Sequence, residues 1–230
     1  MYLYGLQRSG TNVISDFLKV NYGITFKNGG NRNSPSHKHF RIYNNKNYIP
    51  QTNEIGQYSN NYIVNNLDDM DKLLGDEMHT NKYIIIYKDI YSWLPSISKW
   101  ATLCKWKTQE MMEFIDDYFE FMDKWNAIKN DRVLFIAYSD YLYAITHQNN
   151  DSLINRIEHF INKKRKSKLM IPNRVKCSDT FTNERYNYYI NKEYMRLYTK
   201  ENISKIEKRR LKCLTRLQSG VDAVQSFAER

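Results

Sequence analysis

The residues best suited to chemistry lie near the start of the chain, in the stretch Arg8, Ser9, Gly10, Thr11 and Asn12. An apolar run at 2–6 precedes them, and apolar positions with helical spacing follow them, which predicts a strand, a turn and a helix beginning near Gly10 or Thr11. Such a turn directs several backbone N–H groups and the positive end of the helix dipole at one point. Glycines let the backbone approach a bound anion closely. The stretch therefore predicts a cradle for a phosphate or a similar anion; a tight turn without a ligand is the alternative interpretation.

The spacing Gly5-x-x-x-x-Gly10 is that of nucleoside triphosphate-binding loops, but Thr11 stands where those loops carry a lysine. In those loops the lysine reaches the β- and γ-phosphates, and a serine or threonine holds magnesium. A ligand with one 5′-phosphate, and with a sulfuryl group in place of the outer phosphates, needs neither. The missing lysine therefore favours a nucleotide of that kind over a triphosphate.

Composition limits the classes of protein that fit. The net charge of +10 favours anionic partners, and the densest basic run is Lys163–Lys168. No apolar stretch approaches the length of a membrane span, and no signal-like segment is present. The three cysteines, Cys104, Cys177 and Cys213, lack metal-site spacing, which predicts reduced thiols and a cytoplasmic protein.

Alternation of strand and helix patterns predicts an α/β fold, with a three-layer, P-loop-like parallel sheet flanked by helices in a single domain over 1–230. Continuous apolar runs at 83–87 and 133–138 are typical of strands buried on both faces. The segment 27–62, rich in Asn, Gly, Ser and Tyr, predicts a long insertion with a functional role. The four tryptophans are expected in the core. A short strand is expected near His39–Tyr43, and helices are expected at 95–103, 109–129, 151–162 and 184–217.

Four stretches carry a resemblance to a known family. Arg8–Asn12 (RSGTN) follows the first strand, Lys88–Trp100 (KDIYSWLPSISKW) follows the second, Ala137–Asp140 (AYSD) ends the third, and the tyrosine-rich Asn187–Tyr198 comes later. In this order they resemble the P-loop sulfotransferase family, of which the chain looks like a compact, divergent member. The resemblance implies the donor 3′-phosphoadenosine 5′-phosphosulfate (PAPS), its product adenosine 3′,5′-bisphosphate (PAP), and no metal.

The resemblance also implies ligand-binding roles. The turn of Arg8, Ser9, Gly10, Thr11 and Asn12 would bind the 5′-phosphosulfate. A strand-end basic residue and a serine eight positions later would bind the 3′-phosphate, and they correspond to Lys88 and Ser96. The chain departs from the family where Lys88 replaces an arginine, which loses the bidentate fork. It also has Val13 where cytosolic members stack a tryptophan on adenine, and it has no clear counterpart of their late basic segment; Lys163–Lys168, Arg174 and Lys176 are the candidates.

Sulfuryl transfer needs a cation at the leaving oxygen and a base for the acceptor. Arg8 is expected to stabilise the leaving group, and His39 is expected to accept the proton, with His37 as the second choice. The acceptor would be a hydroxyl or amine on a small molecule or a carbohydrate, and the insertion at 27–62 would help to shape its pocket. The other histidines, His79, His147 and His159, are expected on the surface.

Two other functions stay open at the level of sequence. A nucleotide or nucleoside kinase with a degenerate loop would bind ATP and magnesium, and Asp89 at a strand end is a candidate ligand for that metal. A non-catalytic basic protein would bind nucleic acid or an acidic glycan with steep salt dependence. The sulfotransferase hypothesis predicts no specific nucleic-acid partner.

Overall fold

A three-stranded parallel sheet forms the centre of the molecule. The computed structural model describes residues 1–32, 34–43, 48–51, 64–147, 151–165, 168–172 and 183–212. The strands β1 (Tyr2–Gly5), β2 (Tyr83–Tyr87) and β3 (Val133–Ala137) lie in the order β1-β2-β3, with Tyr2 opposite Tyr83 and Tyr83 opposite Val133. All three strands were predicted; β3 ends one residue early because Tyr138 begins the next helix.

Helices flank the sheet on both faces, as the α/β pattern predicts. Because side chains alternate along a strand, Leu3, Ile84 and Ile86 enter one core, while Tyr4 and Ile85 enter the other. The first core is closed by α1 (Thr11–Tyr22), α5 (Tyr138–Thr146) and α6 (Asp151–Ile161); the second is closed by α2 (Leu67–Leu73), α3 (Ile90–Leu103), α4 (Ile115–Ile128) and the helix α8 at 200–212. Within the described residues, no helix combines the length and apolar character that crossing a membrane requires.

The strand predicted near His39–Tyr43 is wrong. Turns occupy 34–39, and irregular backbone follows at 40–43. The outer edge of β1 is instead satisfied by the Asn28 side-chain amide, which accepts from the Leu3 N–H at 2.9 Å and donates to the Leu3 carbonyl at 3.0 Å. Further along, the Gly5 N–H donates to the Lys38 carbonyl at 3.0 Å. A side-chain amide thus takes the place of the predicted neighbouring strand.

Helix α3 begins five residues before the predicted start at Pro95. The Asp89 side chain caps it by accepting from the Tyr91 N–H at 2.9 Å. Pro95 lies inside the helix, where its missing N–H leaves the Tyr91 carbonyl without its usual i+4 partner. The Tyr198 hydroxyl donates to that carbonyl at 2.8 Å. A distant tyrosine therefore makes the proline tolerable.

The long amphipathic helix predicted at 109–129 is confirmed over most of its length. A 3₁₀ turn, Met111–Phe114, leads directly into α4. The single helix predicted at 184–217 is wrong. It is divided into α7 (Asn183–Ile190), a 3₁₀ turn (Glu193–Leu197) and α8, while 213–217 lies outside the described residues. The break occurs at Lys192, whose φ of 52° is left-handed, and it allows Tyr194 to be buried.

Candidate functional site

The carboxyl ends of the three strands bring the predicted site segments together. The turn 6–10 follows β1, Lys88 and Asp89 follow β2, and Tyr138 follows β3. Because the strands are parallel and in register, these segments meet at one edge of the sheet. Their contact is close: a Cβ atom placed on Gly10 would lie 2.5 Å from a ring carbon of Tyr138. Residues more than a hundred positions apart thus share one site.

Hydrogen bonds within the turn after β1 fix its shape. Both the N–H and the hydroxyl of Ser9 donate to the Leu6 carbonyl, at 3.2 and 2.7 Å. Gly10 has a φ of 95° and stands at the N-terminus of α1, whose first turn carries no acidic residue. The N–H groups of a first helical turn have no partner within the helix. The turn therefore offers backbone donors at Thr11 and Asn12, whereas the Ser9 hydroxyl is used to close it.

Arg8 occupies a costly conformation. Its φ is 66°, and a left-handed backbone costs a residue with a Cβ roughly 1–2 kcal/mol. Its guanidinium lies 5.2 Å from the ring centroid of Trp100. In the part of the chain that the structure describes, its Nε is buried without a hydrogen-bond partner, which costs about 1–3 kcal/mol. Backbone strain and unsatisfied buried donors are found at functional sites, and an anion beside this guanidinium would satisfy its free donor.

A cavity of about 880 Å³ opens beside this arginine, and Arg8 and Ser96 both line it. The structure thus brings together two residues that the sequence assigned to opposite ends of one nucleotide. Trp93, Trp106 and Trp125 are buried as predicted, whereas Trp100 is only partly buried: it packs against the core and also lines the cavity. The rest of the wall is largely apolar: Pro95, Leu103, Met111, Tyr188, Tyr189 and Leu197, together with Ser92, Ser98 and Lys99.

Lys88 is buried behind this wall. Its ammonium donates to the Tyr189 hydroxyl at 2.9 Å and lies 4.8 Å from the ring centroids of both Tyr138 and Tyr189. Ser96, its predicted partner, faces the cavity, and Tyr189 connects the two because it lines the cavity and contacts Lys88. Sequence reasoning noted the tyrosine-rich segment but did not single out Tyr189, since no spacing rule distinguishes one tyrosine among many.

His39 contacts the last residue of β1, just before the turn. Its Nδ1 is 2.7 Å from the Gly5 carbonyl oxygen, and because a carbonyl can only accept, Nδ1 carries the proton and Nε2 is the basic atom. Burial lowers the pKa of His39 to about 3, so the ring is neutral at pH 7. His37 accepts from the His39 N–H through Nδ1 at 3.3 Å, and burial lowers its pKa as well. Neither histidine is among the residues that line the cavity.

A lysine that sequence reasoning missed reaches the start of α1. The Lys38 ammonium donates to Asn12 Oδ1, next to the buried Thr11. Lys38 stands between the two histidines in the sequence, so its place in SHKHF was the available signal. It adds a positive charge at the N-terminus of α1, which favours an anion there.

Acidic residues at two places in the fold are already bound by other groups of the chain. Asp89, the magnesium ligand of the kinase hypothesis, caps α3. Asp68, Asp71 and His79 lie within 4.8 Å of one another at the opposite end of the sheet, but the Arg132 guanidinium pairs with both carboxylates. One guanidinium therefore already pairs with both carboxylates and offsets part of their negative charge.

Comparison with known protein families, curated proteins and solved structures finds no match to this chain. The functional argument therefore depends on the chain's own residues.

Proposed function

We propose that this chain is a sulfotransferase with a P-loop-like site that transfers a sulfuryl group from PAPS to an acceptor hydroxyl or amine. The observation that carries the proposal is Arg8: a strained, half-buried cation with an unsatisfied Nε, on the wall of a cavity that Ser96 shares. A bound phosphosulfate would satisfy that donor. The absence of the triphosphatase lysine after Gly10 favours this donor over ATP.

The donor contributes a sulfuryl group on a good leaving group; the chain supplies binding and charge. The backbone donors of Thr11 and Asn12 would hold the 5′ end at the N-terminus of α1, and Ser9 would shape the turn through its bonds to the Leu6 carbonyl. Arg8 would stabilise negative charge as it develops on the leaving oxygen. Ser96 would contact the 3′-phosphate, with Lys88 supplying positive potential through Tyr189.

His39 would act as the general base through Nε2, because the Gly5 carbonyl fixes the proton on Nδ1. A base with a pKa near 3 is weak, but an anion bound at the adjacent turn would raise the pKa by stabilising the imidazolium. The acceptor proton would pass to Nε2 as the acceptor oxygen or nitrogen attacks sulfur. The acceptor would be a small molecule or a carbohydrate.

Release of PAP from PAPS tests the proposal. The chain is incubated with PAPS and a panel of phenolic, sugar and amine acceptors, and PAP is quantified by chromatography. We expect acceptor-dependent release that falls by roughly 10²–10⁴ in His39→Ala. In His37→Ala we expect a mild effect, while PAP affinity is nearly unchanged in both variants.

The opposite ranking of the two histidine variants would move the base to His37. Near-normal turnover in both would place the base elsewhere. Release no faster than in buffer with every acceptor, together with no binding of PAP, would contradict the proposal.

A further inference from the structure

A buried ion pair lies directly behind the candidate site. Arg41 is about 1% exposed and Asp117 is fully buried, and Arg41 Nη1 is 3.6 Å from Asp117 Oδ2. The other terminal guanidinium nitrogen, Nη2, donates to the Gln7 side-chain oxygen. A buried ion pair is weak as a source of stability, since desolvation offsets much of the attraction. Its placement next to the turn calls for another explanation.

Gln7 immediately precedes Arg8, and it is held at two points. Its side chain accepts from Arg41, and its carbonyl accepts from Trp93 Nε1 at 2.8 Å. On the other side of Arg8, Ser9 is bound to the Leu6 carbonyl. Arg8 is therefore a strained residue between two anchored neighbours, and the strain persists because those neighbours determine its backbone.

We infer that Arg41 and Asp117 are positioning residues that hold Gln7 and thereby direct Arg8 into the cavity. We call Gln7, Arg41 and Asp117 the Gln7 clamp. The clamp extends further: the Asp117 carboxylate also accepts from the Tyr48 hydroxyl and from the Gln51 N–H, the latter at 3.0 Å. The segment at 48–51 belongs to the insertion predicted to shape the acceptor pocket. A displacement of that segment would thus reach Arg8 through Asp117, Arg41 and Gln7.

The test uses Gln7→Met, which keeps the length of the side chain and removes its acceptor. The readout needs no ligand: phenylglyoxal modifies arginines, and peptide mass spectrometry follows Arg8 against the exposed Arg196. We expect the relative rate at Arg8 to rise by about tenfold, the ratio that corresponds to roughly 1.4 kcal/mol of lost restraint. Arg41→Lys, which keeps the charge but loses the planar fork, should act in the same direction.

Arg132→Lys is the matched control, because it weakens a comparable arginine–carboxylate pair at the opposite end of the sheet. It should leave the relative rate at Arg8 within about twofold, a change below 0.5 kcal/mol. Gln7→Glu, which retains an acceptor for Arg41, should also leave that rate near the wild-type value. An unchanged rate in both Gln7→Met and Arg41→Lys, or an equal rise in Arg132→Lys, would overturn the inference.

The functional part of the inference rests on the proposed function and is tested separately with PAP. Gln7→Met should weaken PAP binding by about tenfold in the wild-type background but by less than about twofold when Arg8 is alanine, because Gln7 acts through Arg8. Equal weakening in both backgrounds would contradict the positioning role. If the wild-type chain does not bind PAP, the proposed function fails, whereas the modification rates still decide whether the clamp positions Arg8.

Discussion

Replacing Arg8 with glycine should separate stability from binding at one residue. Glycine adopts a φ of 66° without penalty, which recovers roughly 1–2 kcal/mol, less about 0.5–1 kcal/mol for the greater freedom of the unfolded chain. Removing the buried, unsatisfied Nε recovers about 1–3 kcal/mol more. Loss of the contact with Trp100 costs about 0.5–1 kcal/mol. Together these terms span about 0–4 kcal/mol, so we expect Arg8→Gly to raise the free energy of unfolding by about 2 kcal/mol.

Urea denaturation measures the stability term, and Lys105→Gly is the matched control. Lys105 has a φ of 55° and an exposed side chain, so its replacement changes the backbone terms and leaves the cavity untouched. Arg8→Gly should gain at least as much stability as this control, with a rise of about 2–4 °C in Tm for each 1 kcal/mol.

Calorimetric titration with PAP measures the binding term. Loss of a charged hydrogen bond of roughly 1.5–3 kcal/mol should weaken PAP binding by about 10- to 100-fold in Arg8→Gly, with no change in Lys105→Gly. The reasoning is refuted if Arg8→Gly is less stable than the wild-type chain while Lys105→Gly is more stable. It is also refuted if Arg8→Gly keeps its PAP affinity, since Arg8 would then have a structural role only.

Three further predictions concern the residues around Arg8. Gly10→Ala should lose about 2 kcal/mol or more of stability in urea denaturation, because its Cβ would lie 2.5 Å from a ring carbon of Tyr138. Gly75 also has a left-handed backbone but has open space around it, so Gly75→Ala should lose only the cost of placing a Cβ on that backbone. Equal losses in the two variants would contradict this prediction. Lys88→Met should weaken PAP binding by about tenfold and change AMP binding less than about twofold; equal weakening of both ligands would mean that Lys88 does not serve the 3′-phosphate. Between pH 6.5 and 3 the unfolded chain carries a proton on His39 that the folded chain lacks, so the free energy of unfolding falls as pH falls. The difference in free energy of unfolding between the wild-type chain and His39→Gln should therefore change by up to about 1.4 kcal/mol per pH unit in this range. A difference that does not depend on pH would contradict the low pKa of His39.

Local patterns predicted those elements that are set by burial. The run Tyr83–Tyr87 is apolar at every position because both faces of β2 are covered, and period and composition suffice to recognise it. The turn after β1 was also recognisable from its glycines. Gly5 and Gly10 both contact atoms that leave no room for a Cβ, so glycine is required at each position. These features depend on neighbouring residues in the sequence or on simple burial.

Long-range contacts decided what the sequence could not show. Helix α3 begins before Pro95 because Tyr198 satisfies the Tyr91 carbonyl across 107 positions. The Asn28 side chain, instead of a strand, forms hydrogen bonds with the edge of β1, and no periodic sequence pattern predicts this contact. In the site, the same limit applied: Ser96 and Arg8 were chosen from motifs, but the place of Lys88 behind Tyr189 follows from the return of the chain in α7.

The central claim is tested most directly by titrating the wild-type chain with PAP in a buffer that contains EDTA, beside a titration with ATP and magnesium. The proposal predicts that PAP binds without a divalent metal, and that PAP at 100 times its Kd stabilises the chain against unfolding by about 2.7 kcal/mol. AMP should bind more weakly, because it lacks the 3′-phosphate that Ser96 would contact. Binding of ATP with magnesium, and none of PAP, would contradict the account and favour a kinase.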